Sequence, residues 1–425
     1  MGPSRRSAPR TVGAVLAVSA LLAGCGDSGE EPASIVRTSA CAVSAPSGFE
    51  DAGVGAAVLE QVRGAVRQGL VDTTSTQRVS TPAQTQAALE RFAADGCTLT
   101  LLVGPGGAGA LSQVAQEVPD RAFLAVGAGT GADQPDNVLS VDFDLRDSAF
   151  LAGYAAAHAT TTGVVAVSVS TGQADGDTLL AAFDEGVVAA QEADDENDLD
   201  VRVVQQGMVE ARTVEDTSAA GRDWAEDATA DGADVLVPFG SASPQGVVEH
   251  LSALAQEQDE AGEEDEAADS GPDSAPAGAD AAGTAGDGDA EGTGASAEES
   301  ELPYLIWTGS DGSKSLPTPV RKQVIASIVP QVGTAMRAVL TGWPGTGGDP
   351  DALLEVDGEP VDDAHEAMPE VVGGLEVRSR RAVGDLDNGG VELVVSDGVL
   401  SPLTGLGRAV SDGRDLLEEE DAEAS

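Results

Sequence analysis

Basic residues are scarce in this chain. Lysine and arginine together number 22 against 73 aspartates and glutamates, giving a formal charge of −51, and Lys314 and Lys322 are the two lysines. A surface this acidic repels nucleic acid and anionic lipid, so neither is a partner. The charge reads as a solvated surface suited to a salty or alkaline exterior, with a ligand-steering field as the other reading. Histidine is scarcer still. His158, His250 and His365 stand far apart, without metal-ligand spacing. The patterns H-E-x-x-H, G-x-S-x-G and G-x-x-x-x-G-K-S/T are missing. Zinc hydrolysis, serine hydrolysis and P-loop phosphate chemistry therefore have no residues to rest on. No catalytic residue, metal or cofactor is expected, and carboxylates are so abundant that any chosen pair carries little information.

A long apolar run is also lacking at the amino terminus. Arg5, Arg6 and Arg10 precede the stretch Thr11–Leu22, which is too short for a permanent membrane-spanning helix. Leu22-Ala23-Gly24-Cys25 follows and resembles a bacterial lipobox. That resemblance implies cleavage of a signal peptide over residues 1–24, a lipid on the Cys25 sulfur, and a flexible tether over 25–33. The mature chain is then expected on the outer face of the cell membrane, held by its lipid.

Two further cysteines remain, Cys41 and Cys97. Outside the cytoplasm such a pair is expected to form a disulfide.

From Ser34 onward, β-branched apolar runs alternate with segments of helical spacing. Thr98–Val103, Ala122–Val126, Gly163–Val169 and Ala233–Pro238 read as strands. Asp177–Ala190, Glu215–Ala230 and Pro244–Ala255 read as helices. Thr81-Pro82-Ala83-Gln84 reads as a helix N-cap, with proline at the first helical position and glutamine at the third. Alternation of this kind predicts an α/β fold of two lobes with parallel sheets and helices on both faces. The N-lobe is expected over 34–141 with about 308–341 returning to it. The C-lobe is expected over 142–255 with about 302–307 and 375–410 returning. Between them, Gln256–Glu301 carries 16 acidic residues, no basic residue and no aromatic, and is expected to be a disordered insert. The acidic tail Ser411–Ser425 is expected to fray.

The stretch "LLVGPGGAGAL" (Leu101–Leu111) has the G-x-G-x-x-G spacing of a dinucleotide-binding turn. An exported chain meets no nicotinamide pool, and no acidic residue closes a second strand at the distance a ribose hydroxyl needs. The glycines then serve tight turning and close backbone approach to a cleft.

Several segments point to a family. "NVLSVDFDLRDSAFLAGYAAAHATTTGVVAV" (Asn137–Val167) and "LDNGGVEL" (Leu386–Leu393) resemble segments of the basic membrane proteins, the PnrA-like substrate-binding lipoproteins of ABC transporters. "CAVSAPSGFEDAG" (Cys41–Gly53), "GADVLVPFGSASPQG" (Gly232–Gly246) and "YLIWTGSDG" (Tyr304–Gly312) are similar to that family's cleft-forming strands and loops. The cysteine positions also fit some actinobacterial members. The resemblance implies a type I periplasmic-binding-protein architecture: two Rossmann-like lobes joined by three crossovers and closing on a small-molecule ligand. It further implies a monomer that delivers a purine nucleoside to an ABC permease, in a Gram-positive, actinobacterial-type envelope.

Ligand contacts carried over by this resemblance are Ser44, Phe49, Asp51 and Phe239, with Asp311 beyond the Tyr304 strand and the backbone at Gly104, Gly106 and Gly240. Several expected groups are replaced. Ala45 stands for an aspartate, Gly53-Val54-Gly55 for a Ser-Phe-Asn triplet with a stacking ring, and Gly309 for a ribose-binding aspartate. Pro330 stands for a lysine, and Gly104-Pro105 for a glycine followed by an aromatic. The other reading is a surface lipoprotein whose pocket has degenerated and which has a protein-interaction or signalling role.

Overall fold

The computed structural model describes residues 38–44, 49, 53–130, 134–170, 173, 175–193, 199–209, 214–240, 243–269, 302–342, 355–356, 359–360, 376–378, 381–396 and 405–424. Cys25 and the segments expected to be signal peptide and tether lie outside them.

The first lobe begins with β1 (Ser39–Ser44), α1 (Val54–Gln68) and β2 (Thr73–Arg78). It continues with α2 (Pro82–Ala94), β3 (Leu99–Val103), α3 (Ala108–Glu117), β4 (Ala122–Val126) and β5 (Val138–Phe143). β3 and β4 are buried at every residue. Parallel strands covered on both faces need such continuous apolar runs. β2, with the sequence TTSTQR, is mostly exposed at the sheet edge, and its polarity hides it from apolar periodicity. α2 starts as its sequence predicts. Thr81 accepts a hydrogen bond from the Gln84 N–H at 3.3 Å, while Gln84 Oε1 accepts from the Ser80 N–H at 2.8 Å. Cys41 and Cys97 form a disulfide with Cα atoms 6.0 Å apart, joining β1 to the residue before β3 inside the core. The pairing expected from the compartment is present.

The second lobe contains α4 (Arg146–Ala159), β6 (Val164–Ser170), α5 (Gly176–Ala193), β7 (Arg202–Val209), α6 (Val214–Ala230) and β8 (Val235–Phe239). After these come α7 (Ser243–Asp269), β9 (Tyr304–Thr308), the short helices α8 (Gly312–Ser315) and α9 (Thr318–Arg321), and β10 (Val324–Pro330). α10 (Val332–Gly342) then packs on α1, placing Val332, Met336 and Val339 in the core with Val58 and Val62. The chain closes with β11 (Glu355–Val356), β12 (Glu359–Pro360), β13 (Glu376–Arg378), β14 (Arg381–Gly384), β15 (Val391–Val395) and α11 (Leu406–Ala424).

Among the described residues the first sheet has the order β13-β14-β5-β4-β3-β1-β2 and the second β15-β10-β9-β8-β6-β7, with β11 and β12 forming a small separate ribbon. The β13–β14 and β10–β15 pairs are antiparallel, and the other pairings within the two large sheets are parallel.

Four placements differ from the sequence expectation. Residues 308–341 are expected in the first lobe, but β10 pairs with β9 in the second sheet, and the chain enters the first lobe only after Pro330. β10 is apolar apart from Ser327 and suits either interior. The short α8–α9 connection from β9 sets its sheet. Residues 375–410 are expected in the second lobe, yet β13 and β14 extend the first sheet. α7 continues to Asp269, so the first part of the acidic insert is helical. Its Glu, Gln and Ala residues are strong helix formers and extend a helix already nucleated upstream. Residues 270–301 lie outside the described set. The tail expected to fray is α11, which puts Leu406, Val410 and Leu417 into the second-lobe core.

α4 is buried on nearly every face. Its contact with α5 is made by glycines. A Cβ on Gly153 would stand 2.0 Å from the Phe183 carbonyl oxygen, and one on Gly186 1.9 Å from that of Phe150. α11 closes over the other side, with Gly413 against the Tyr154 ring.

Three crossovers join the lobes among the described residues: β5 to α4, β10 to α10, and β14 to β15. They lie against one another. The Asp144 N–H donates to the Gly384 carbonyl and the Gln331 N–H to the Gly390 carbonyl, each at 2.8 Å. Asn388 organises the third crossing. Its Oδ1 accepts from the N–H groups of Asp385 and Gly390, and its Nδ2 donates to the Val383 carbonyl at 2.9 Å. The "LDNGG" motif thus builds a hinge turn.

Candidate functional site

The carboxyl ends of the strands in both sheets face a cleft of about 540 Å³ between the lobes. Open α/β sheets place ligand sites at such strand ends. The turns after β3, β4, β8 and β9 contribute Gly104, Gly127, Gly129, Gly240 and Gly309. Close approach requires glycine at two of these. Gly309 has φ +113°, and a Cβ there would stand 2.8 Å from Gly53 Cα on the opposite lobe. Gly240 has φ +117°, and a Cβ there would meet the Ser170 hydroxyl at 2.3 Å.

Charge enters from the crossovers. Asp142, the penultimate residue of β5, has a side chain only 8% exposed. Its Oδ2 accepts from Arg381 Nε at 2.9 Å and its Oδ1 from the Gly129 N–H at 3.2 Å. Arg381 opens β14 beside β5, and its side chain remains 40% exposed at the cleft. Asp144 accepts from the Arg146 N–H at 3.0 Å, capping the start of α4. The Arg146 guanidinium is shared between Asp147 and Glu185 at 3.0 and 3.2 Å. Asp385 lines the wall at the hinge turn, where its Oδ1 accepts from the Asn388 N–H at 2.8 Å. Asp175, before α5, is the one non-glycine residue with positive φ (57°) among the described residues. Such a conformation is tolerated by aspartate at some cost and marks a constrained wall. Thr308, at the end of β9, is buried, lines the cleft, and has a hydroxyl with no hydrogen-bond partner among the described residues.

Of the contacts carried over by resemblance, Gly104 and Gly240 line this cleft. The others described do not. Phe239 is fully buried in the second-lobe core, because the side chain of the last β8 residue points to the helix layer and only Gly240 turns toward the cleft. Ser44 is buried at the end of β1 and Phe49 packs with the α1 core. Gly106 is exposed beyond the cleft-facing Gly104-Pro105 pair. Asp311 caps α8, accepting from the Ser313 N–H at 3.1 Å and pairing with Lys314 at 2.6 Å. Burial pushes the Asp311 carboxyl up, yet hydrogen bonds from Lys314 and Ser313 outweigh it and hold the group below its ordinary value. Asp51 lies outside the described residues.

Of the positions where the resemblance expects ligand groups, Gly55 is buried in α1, Ala45 lies outside the described residues, and Gly53, Val54, Pro105, Gly309 and Pro330 line the cleft. They present backbone and small apolar surface. The charged groups that do line it were missed by sequence reasoning, although Asp142 and Asp144 sit in the quoted "SVDFDLRD" at a strand end. No His, Cys, Asp or Glu grouping suited to a metal occurs among the described residues.

Two parallel α/β lobes, three adjacent crossovers and a polar cleft at the strand ends define a bilobed solute-binding protein. The family model described as "ABC transporter substrate-binding protein PnrA-like" matches residues 38–275, and the chain belongs to that family. No match is found among curated proteins. The fold is similar to an ABC transporter solute-binding protein of Aeropyrum pernix K1, at 16% identity, TM-score 0.56 and 90% coverage of each chain. It is also similar to one from Conexibacter woesei DSM 14684, at 16% identity and TM-score 0.50, covering 90% of this chain and 97% of that one.

Proposed function

We propose that this protein captures a small polar solute in the inter-lobe cleft, outside the cytoplasm, and presents it to the permease of an ABC importer without transforming it. The Asp142–Arg381 pair carries this reading. It is a charged donor–acceptor set held at the hinge, and it opens into a cleft of about 540 Å³. Small-molecule pockets span roughly 300–1,000 Å³. A ligand touching both lobes favours their closed arrangement.

The lipid expected on Cys25 would hold the binding protein beside the permease. Cys25→Ala should then move the protein from the membrane fraction to the medium. Membrane retention of that variant would remove the lipid anchor from the reading.

Capture itself is tested by thermal unfolding against sugars, polyols, amino acids, polyamines and nucleosides, with inosine and guanosine included because the resemblance implies them. A true ligand at a hundred times its Kd adds about 2.7 kcal/mol of stability, a clear rise in Tm. An unchanged Tm across the whole set would overturn the capture reading.

A further inference from the structure

A planar heteroaromatic ligand needs rings to stack on. The chain holds seven Phe, two Tyr and three Trp, and nearly all are committed elsewhere. Phe92 and Phe123 are buried in the core shared by α2 and α3. Phe150, Phe183, Phe239, Tyr154 and Tyr304 are buried in one core of the second lobe, and Trp224 and Trp307 in the core on its opposite face. Phe49 is buried against the α1 core. Phe143 is the aromatic side chain that lines the cleft among the described residues, and it also packs on the cores of both lobes. Trp343 lies outside the described residues.

Among the described residues the cleft therefore lacks the ring pair that would sandwich a flat base. It offers hydrogen-bonding groups in their place. Asp142 supplies carboxylate acceptors. Arg381 uses only Nε on Asp142, which leaves its terminal nitrogens as donors. Vicinal hydroxyls match this set, because each hydroxyl donates and accepts at once. Anionic solutes do not. Asp142, Asp144, Asp175 and Asp385 line the cleft against two guanidinium groups, and Arg146 is already shared by two carboxylates.

We propose that the ligand is a neutral, non-aromatic, polyhydroxylated solute of sugar or cyclitol size, with its hydroxyls on Asp142 and Arg381. This assignment rests on the cleft being the solute site.

Calorimetric titration of the purified full-length protein with pentoses, hexoses, cyclitols, inosine, guanosine, glutamate and spermidine tests it. A sugar or cyclitol is expected to bind most tightly. Arg381→Met should weaken that ligand at least tenfold. Arg381→Lys, which keeps the charge but loses the planar fork, should also weaken it at least tenfold while leaving Tm near the parent value. Phe143→Leu should change its affinity less than threefold. Tightest binding by inosine or guanosine, abolished in Phe143→Leu or Trp343→Leu, would overturn the ligand class and leave the cleft as the site. Tightest binding by glutamate or spermidine would do the same. Heat from none of the probes would overturn the cleft reading together with the class.

Discussion

Asp142 and Arg381 stand 239 residues apart in the chain and meet at 2.9 Å, Nε to Oδ2, across the β5–β14 pair that forms two of the three lobe crossings. The carboxylate is buried and the guanidinium half-exposed, so the pair is asymmetric: removing the arginine strands a buried charge. Only the Gly129 N–H would remain on Asp142. Hydrogen bonds to charged groups contribute about 1.5–3 kcal/mol, and losing one partner of a buried pair sits at the upper end of that range. Arg381→Met should destabilise the protein by about 2–3 kcal/mol, read as a lower denaturant midpoint at unchanged slope. Adding Asp142→Asn should recover part of the loss. Strictly additive effects of the two substitutions would show that the residues do not act as a pair.

The α4–α5 contact makes a sharper stability prediction. A methyl group at Gly153 or Gly186 would sit within about 2 Å of a carbonyl oxygen on the facing helix, and backbone offers no easy retreat. Gly153→Ala and Gly186→Ala should each cost about 3 kcal/mol or more. Gly109, inside α3 with open space around it, is the control. Gly109→Ala should stabilise by about 0.5–1 kcal/mol through helix propensity and a less flexible unfolded chain. Equal effects at the three sites would mean that α4 and α5 are not in close contact.

The Cys41–Cys97 disulfide closes a loop with a sequence separation of 56. Constraining the unfolded chain over that length is worth about 4 kcal/mol on the loop-entropy account. The double replacement Cys41→Ala/Cys97→Ala should therefore lower stability by about 2–5 kcal/mol. Mild reductant should act slowly on the folded parent, since both sulfur-bearing residues are buried. Two thiols titrating in the native protein would contradict the bond.

The layered α/β plan was legible because its interior strands are unbroken apolar runs, as in "LTLLV" and "VLVPF", and because its helices keep their apolar spacing. The α2 cap was legible from four residues. Polar β2 was not, since an edge strand needs no apolar face. β13, β14 and β15 were not, being short and gathered by a chain return that local pattern does not encode. The cleft was legible as a set of strand ends, which is why Gly104 and Gly240 fall on it. Its chemistry was not. Strand alternation turns Phe239 inward, one residue from the cleft. The Asp142–Arg381 pair exists only once β14 has joined β5.

Asp311 was expected to touch ligand but caps α8, and its pH behaviour distinguishes the two roles. Its carboxyl is raised by burial but held below the ordinary value overall, chiefly by hydrogen bonds from Lys314 and Ser313. A depressed carboxyl stabilises the fold above its unfolded pKa of about 3.9, and that contribution is lost as pH falls through the folded value. The stability gap between the parent and Lys314→Met should thus be constant above about pH 5 and shrink below about pH 4. Asp311→Ala should cost about 1 kcal/mol as a lost cap, with ligand affinity changed less than twofold. A tenfold loss of affinity would return Asp311 to the ligand site.

Gly309 and Gly53 set how far the lobes close. Gly309 follows β9 in the second lobe, Gly53 precedes α1 in the first, and a Cβ at position 309 would lie 2.8 Å from Gly53 Cα. Bound ligand and closed lobes are linked, so a residue that props the lobes apart taxes binding without touching the ligand. Its φ of +113° adds backbone strain for any side chain. Gly309→Ala should weaken ligand binding at least tenfold, about 1.4 kcal/mol. Small-angle scattering should show a wider particle that no longer contracts on adding the ligand. The Asp142–Arg381 pair joins β5 to β14 and should persist in the variant. Unchanged affinity in Gly309→Ala, with contraction on ligand addition intact, would mean that the lobes do not close through this glycine pair.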